Sequence, residues 1–154
     1  MQDPPRVQFL ESTPHRYCIT RDLIGNESYI LGLLDQETFL SLPKLAVYSR
    51  PKRKWSVVRF NDDELDSDTQ LTLLGFTGDD VFAVLYADFV DDELKATVVT
   101  FRGIADFSSV ECIEKYHLLT CNREYSIRAF FEVDVPWVVV LYRRRRSHRM
   151  NTCK

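Results

Sequence analysis

Short turn clusters between runs of β-branched and aromatic residues constrain the fold of this chain more than any other feature of its sequence. Such residues favour strands because their side chains pack well on a pleated, half-buried surface. Turn-forming clusters at 77–80, 90–93 and 134–136 separate neighbouring runs. Parallel strands would need a crossover of about a dozen or more residues, so these short connections predict antiparallel hairpins. The predicted strands are 55–60, 70–76, 81–90, 94–102, 125–133 and 137–142.

A further hairpin is predicted for residues 44–49 and 55–60, which flank the cluster Arg50-Pro51-Lys52-Arg53. Pro51 suits a turn because proline fixes its own φ angle and donates no hydrogen bond. Segments 81–86 and 138–141 are apolar at both odd and even positions. We therefore expect each of them to be a central strand that is covered on both faces.

Two short helices are also predicted. Segment 35–42 begins with a capping aspartate and stops before Pro43. Segment 108–111 has the form of a capping box, and it is followed at roughly helical spacing by Cys112, Ile113, Tyr116 and Leu119. A strand across residues 116–121 competes with this second helix.

The predicted fold class is mainly β, a β-rich α+β arrangement. We expect an antiparallel meander of about six to eight strands that forms a barrel or a sandwich, with one or two short helices. The length of 154 residues fits a single domain with one core. We place that domain at residues 1–142 and a basic C-terminal tail at residues 143–154.

Charge is strongly segregated along the chain, although the formal net charge is only −3. Residues 61–94 contain eleven acidic residues and no lysine or arginine, while basic residues cluster before this stretch and at the C-terminal end. Segregated charge steers partners of opposite charge and contributes to specificity. The sequence therefore predicts a non-enzymatic protein–protein interaction or regulatory module, including a homodimer through an exposed edge strand as one form.

The candidate binding residues follow from this segregation. The acidic loops supply Asp62, Asp63, Glu64, Asp66, Asp68, Asp91, Asp92 and Glu93. The basic candidates, for a protein or for nucleic acid, are Arg50, Lys52, Arg53, Lys54, Arg143, Arg144, Arg145, Arg146 and Arg149.

Nucleic-acid binding through the arginine-rich tail is the alternative function, because arginine runs neutralise phosphates; such runs also act as nuclear-import signals. The overall pI of about 5.6 is unlike that of dedicated nucleic-acid binders, which usually exceeds about 9. Aromatic residues on strands sometimes form stacking platforms for bases. For Phe82, Tyr86 and Phe101, however, burial in the core is the favoured interpretation.

Catalysis and cofactor binding find little support. A cysteine-dependent enzyme using Cys112 or Cys121 with His117 is the third and least favoured interpretation. The same three side chains fall short of the four ligands of a structural zinc site. The five glycines form neither a P-loop nor a dinucleotide-binding motif. We therefore predict no cofactor and no metal.

The predicted location is intracellular, in the cytoplasm, the nucleus or both. The four cysteines include no C-x-x-C pair, which favours free thiols in a reducing compartment. The first residues lack the pattern of a signal peptide. The longest dense apolar run, residues 133–142, is too short for a membrane-spanning helix of about 20 residues. No membrane association is expected.

Overall fold

The computed structural model describes residues 19–34, 42–66, 68–122, 125–132 and 135–143. These residues form ten strands and no helix. The strands are β1 (Ile19–Gly25), β2 (Tyr29–Leu34), β3 (Lys44–Ser49), β4 (Lys54–Asn61), β5 (Gln70–Phe76), β6 (Val81–Val90), β7 (Glu93–Ile104), β8 (Ser109–Asn122), β9 (Tyr125–Glu132) and β10 (Val135–Arg143).

Eight of the strands form one sheet that is nearly closed into a barrel. Strands β1 to β4 make one antiparallel meander, and β5 to β8 make a second. The meanders are joined by a parallel pairing of β4 with β8 that covers only Phe60 opposite Val110 and Asn61 opposite Glu111. At the other side of the sheet β1 lies against β5. The predicted mainly β fold is therefore confirmed, as a barrel rather than a sandwich.

The barrel interior is filled by aliphatic and aromatic side chains from both meanders. Phe82 and Phe101 stack at its centre with ring centroids 5.6 Å apart, and Phe60 meets Phe101 edge-on at 5.2 Å. Each fully buried phenylalanine contributes about 1.5–3 kcal/mol from the hydrophobic effect. The favoured interpretation of Phe82, Tyr86 and Phe101 as core residues is confirmed, because each is less than a tenth exposed.

A smaller apolar cluster lies on the outer face of the second meander. It contains Ala83 and Leu85 of β6 together with Leu74, Ala96 and Val98. Strand β9 lies against β5 and β7, and residues 82–87 of β6 are all buried. Both faces of β6 are therefore buried, as predicted for segment 81–86. The matching prediction for segment 138–141 is wrong, because among the described residues β10 pairs with β9 alone.

The helix predicted from the capping box at 108–111 is also wrong, because β8 occupies residues 109–122. Pairing with β7 skips Ile113 and Leu118, so each is the extra residue of a β-bulge. A bulge shifts the alternation of apolar residues by one position. Two bulges five residues apart therefore give the apolar residues of β8 a spacing that resembles that of a helix. Of the other predicted helix, residues 35–41 lie outside the described residues.

The loop between β7 and β8 folds back to close one end of the barrel. Ala105, Asp106 and Phe107 all have left-handed φ angles, of 48°, 56° and 60°. Such angles cost L-residues about 1–2 kcal/mol each. The loop conformation places the Phe107 ring in the core, where it is 1% exposed and lies 4.6 Å from the Tyr29 ring. Burial of this ring offsets part of the backbone strain.

Gly103 permits the close approach of the Phe107 ring. A Cβ atom at position 103 would lie 2.6 Å from that ring. We predict that Gly103→Ala lowers the free energy of unfolding by about 1–3 kcal/mol through overpacking. In a Phe107→Leu background the penalty should become much smaller, because the two sites are coupled. Urea unfolding of the four proteins in this cycle measures the coupling, and strictly additive effects would contradict the contact.

Candidate functional site

The outer edge of β8 is the most distinctive surface of the described residues. Strand β4 ends at Asn61, opposite Glu111 of β8. From residue 112 to residue 121, β8 pairs with β7 on one side, and no described strand pairs with its other side. Such an edge presents backbone N–H and C=O groups that another strand can bind. We call residues 112–121 the β8 edge.

Exposed apolar side chains accompany these backbone groups. Ile113, Tyr116 and Leu118 are 44%, 48% and 37% exposed. Ile113 and Leu118 are the bulged residues, which leaves 114–117 and 119–122 as the regular parts of the strand. Bulges interrupt pairing locally. The edge is therefore suited to a short added segment rather than to open-ended stacking of copies.

The acidic loop after β4 lies at one end of the β8 edge, and Asp62 holds it there. Lys115 of β8 donates to Asp62 Oδ1 at 2.7 Å and to Glu64 Oε2 at 2.8 Å. Tyr86 of β6 donates its hydroxyl proton to Asp62 Oδ2 at 2.9 Å. The backbone N–H of Glu64 also donates to Asp62 Oδ1, at 3.1 Å. The Asp62 side chain is only 5% exposed.

These contacts shift the ionisation of all three side chains. Burial alone would raise the pKa of Asp62, but the hydrogen bonds from Lys115, Glu64 and Tyr86 outweigh it and lower that pKa. Burial would lower the pKa of Lys115, and its bonds to the two carboxylates raise it instead. Burial and the Asp62 carboxylate together raise the pKa of Tyr86. The ion pair is therefore charged at neutral pH.

The remaining acidic candidates of this loop face outward. Asp66 accepts hydrogen bonds from the backbone N–H groups of Asp68 and Thr69, at 2.8 and 3.0 Å, which fixes the turn before β5. Asp63 and Asp68 are exposed, and the Glu64 side chain is 78% exposed. A groove of about 400 Å³ separates the loop from the inner side of β6, β7 and β8. The groove is lined by Glu64, Asp66, Asp68, Tyr86, Asp88, Phe89, Val90, Lys95, Thr97 and Lys115.

The second acidic candidate segment lies at the other end of the β8 edge. Asp91 and Asp92 form the two-residue turn between β6 and β7, with φ angles of 49° and 64°. Both angles are positive, as in the hairpin turns that match strand twist. Glu93 lies opposite Asn122 at the end of β8. The two acidic segments thus bracket residues 116–122, a span of about 20 Å at about 3.4 Å per residue.

The basic candidates lie elsewhere. Arg50, Lys52 and Arg53 are in the turn between β3 and β4, and Lys54 begins β4. Lys52 pairs with Asp106 at 2.9 Å, with both side chains more than half exposed. In the predicted tail, Arg143 ends β10, whereas Arg144, Arg145, Arg146 and Arg149 lie outside the described residues.

Among the described contacts, no hydrogen bond joins Cys112 or Cys121 to His117. Cys112 and Cys121 are free thiols on β8. Burial and the nearby Asp62 carboxylate raise the pKa of Cys112, whereas an activated thiol needs a lowered one. His117 Nε2 lies 3.1 Å from the Thr120 hydroxyl oxygen.

The Asp62 contacts lead to a pH-dependent stability prediction. A lowered pKa means that Asp62 stabilises the fold above its ordinary pKa of 3.8, and that this contribution is lost as the pH falls through the lower folded value. We predict that Asp62→Asn reduces the free energy of unfolding by about 1–3 kcal/mol at pH 7. The difference from the natural protein should shrink below about pH 4.

The neighbouring substitution Asp63→Asn is the matched control, because Asp63 is exposed. It should change stability by less than about 0.5 kcal/mol. Urea unfolding of the natural protein and both variants between pH 3 and pH 7 makes the comparison. Equal effects of the two substitutions at pH 7 would show that Asp62 does not hold the loop.

Among the described residues, no group of three or more histidine, cysteine, aspartate or glutamate side chains is arranged to hold a metal ion. A search of the same part of the chain finds no helix long and apolar enough to cross a membrane. Comparison of the chain with protein-family models, with curated proteins and with solved structures finds no match.

Proposed function

We propose that the protein is a non-enzymatic interaction module that binds an extended segment of a partner protein by strand addition to the β8 edge. One observation carries this proposal: both acidic segments of the sequence border the same strand edge, with which no described strand pairs. Strand addition derives affinity from main-chain hydrogen bonds and specificity from the side chains that flank them. The β8 edge offers both kinds of contact.

The side chains around the edge define the chemistry of the partner. Tyr116 and Leu118 offer apolar contacts in the middle of the edge. Asp63 and Glu64 near one end, and Asp91 and Glu93 near the other, are exposed and offer negative charge. The segment that fits this pattern is extended, apolar in its centre and basic at both ends. Electrostatic complementarity of this kind speeds association and selects against acidic competitors.

A synthetic peptide of this chemistry tests the proposal. The probe is Arg-Arg-Val-Thr-Val-Thr-Val-Arg-Arg with a fluorescent label, and the control peptide has glutamate in place of each arginine. We predict that at low salt the basic-ended peptide binds at least about tenfold more tightly, measured by fluorescence anisotropy. Its affinity should fall as salt screens the exposed charges. Equal binding of the two peptides, or no binding of either, would contradict the proposal.

Two variants localise the binding. Leu118→Lys places a charge on the edge and should weaken binding of the basic-ended peptide at least about tenfold, because charged side chains oppose pairing at strand edges. Val57→Lys is the control, since Val57 of β4 is 36% exposed against 37% for Leu118. Reversal of Asp91, Asp92 and Glu93 to lysine should also weaken binding. Unchanged affinity in Leu118→Lys would place the peptide elsewhere on the protein.

Sedimentation of the protein alone separates a second copy from a different partner. Our proposal predicts a monomer at micromolar concentration, because the edge carries acidic ends that repel the same ends of another copy. A dimer that Leu118→Lys dissociates would overturn the proposed partner and identify the occupant as the chain itself.

A further inference from the structure

The hairpin of β3 and β4 carries positive charge that the β8 edge does not use. Residues 44–60 contain six basic residues and no acidic residue. Leu45, Val47, Val58 and Phe60 belong to the core of the barrel. Because side chains alternate along a strand, the residues between them share the outer face. They form the cross-strand pairs Lys44–Arg59, Ala46–Val57 and Tyr48–Trp55.

An aromatic pair lies within this outer face. The ring centroids of Tyr48 and Trp55 are 5.1 Å apart and the rings are tilted by 50°. Both side chains are half-buried, and Val57 beside them is 36% exposed. Trp55 Nε1 is buried and donates no hydrogen bond in the described structure. The indole ring is therefore held by packing, and part of the side chain is accessible to solvent.

Positive charge lies on both sides of the aromatic pair along the hairpin. Lys44 and Arg59 form a cross-strand pair four residues along the strands from Tyr48 and Trp55, which corresponds to about 14 Å. Arg50 and Arg53 follow in the turn, about 7 Å from the rings. Arg50 Nε donates to the backbone oxygen of Asn26 at 3.0 Å, which holds this guanidinium beside the turn. Arg53 is exposed.

We propose that this face binds single-stranded nucleic acid, with bases stacked on Tyr48 and Trp55 and phosphates bound by Arg50, Arg53 and Arg59. Stacking platforms bordered by cations are the usual means of binding single strands without sequence preference. A duplex fits less well, because its base faces are stacked on one another and cannot contact the aromatic pair. An acidic protein also fits less well, because it would bind the cations but not the aromatic surface between them. The face shares no residue with the β8 edge or with the arginine-rich tail.

Fluorescence anisotropy with a labelled twelve-nucleotide oligothymidylate and the full chain tests this inference. Three phosphate contacts at about 0.7 each predict a slope of about −2 for the logarithm of the binding constant against the logarithm of salt concentration. Arg59→Gln should reduce the magnitude of that slope by about 0.7. Arg102→Gln, at an exposed arginine of β7, is the matched control and should leave the slope unchanged.

Substitution of Trp55 separates the contribution of base stacking to binding from the contribution of charge. Trp55→Leu should weaken binding about tenfold without changing the salt slope, because loss of one base–aromatic stack removes no charge. Trp55→Phe keeps an aromatic ring and should retain most of the affinity, and urea unfolding verifies that both variants are folded. The Arg59→Gln slope provides an independent test that does not depend on either Trp55 variant.

Three results would overturn the inference. The first is an absence of salt-dependent binding at low salt. The second is binding that neither Trp55→Leu nor Arg59→Gln weakens, which would assign it to another basic segment such as the arginine-rich tail. The third is competition by polyglutamate as effective as that by unlabelled oligothymidylate, which would identify the partner as an acidic protein.

Discussion

The seam between the two halves of the barrel is the constraint on which the rest of the structure depends. Only two residue pairs connect β4 to β8, and Asp62 continues the connection by binding Tyr86 and Lys115. Pairing with β8 ends at Asn61, and the Asp62 carboxylate then holds the start of the following loop against Lys115. No described strand pairs with the remainder of β8 on that side, so the contact that extends the seam also borders the open β8 edge.

The two halves of the barrel consequently differ in surface and charge. Strands β6, β7 and β8 have 10, 12 and 14 residues and extend beyond the shorter β3 and β4, which have 6 and 8. Acidic loops border the longer half, while the β3–β4 hairpin carries only basic charge. The small net charge of the chain thus conceals two surfaces of opposite charge. A basic protein segment and a nucleic acid strand would bind to different halves.

Local composition predicts most of the described strands. Segments 70–76 and 81–90 coincide with β5 and β6, and 44–49 coincides with β3, because alternation and turn residues decide these elements locally. The register shift between Leu73 and Gly75 in β5 does not prevent its prediction. Prediction fails for β8, and it gives neither β1 nor β2, although β2 pairs with β3 without a shift. β8 contains two bulges, and β1, which was not predicted, has register shifts and a left-handed Asp22. A bulge disturbs the periodicity on which the prediction rests.

The candidate site was only partly predictable for a different reason. The acidic residues are visible in the sequence, but their position at the two ends of one strand follows from long-range pairing of β4, β7 and β8. Asp62 illustrates the difference: composition groups it with solvated acidic residues, whereas its side chain is 5% exposed and bound by Lys115. The partner of a carboxylate 53 residues away in sequence cannot be read from local pattern.

Amide hydrogen exchange along β8 tests the central claim most directly. In the free protein, amides of residues 116–121 should divide into a protected set bonded to β7 and an unprotected set facing outward, since alternate groups of an edge strand point away from its neighbour. Addition of the basic-ended peptide should protect the second set. Protection of all these amides in the free protein would show that the edge is already paired, and no change on adding a bound peptide would show that the peptide binds elsewhere.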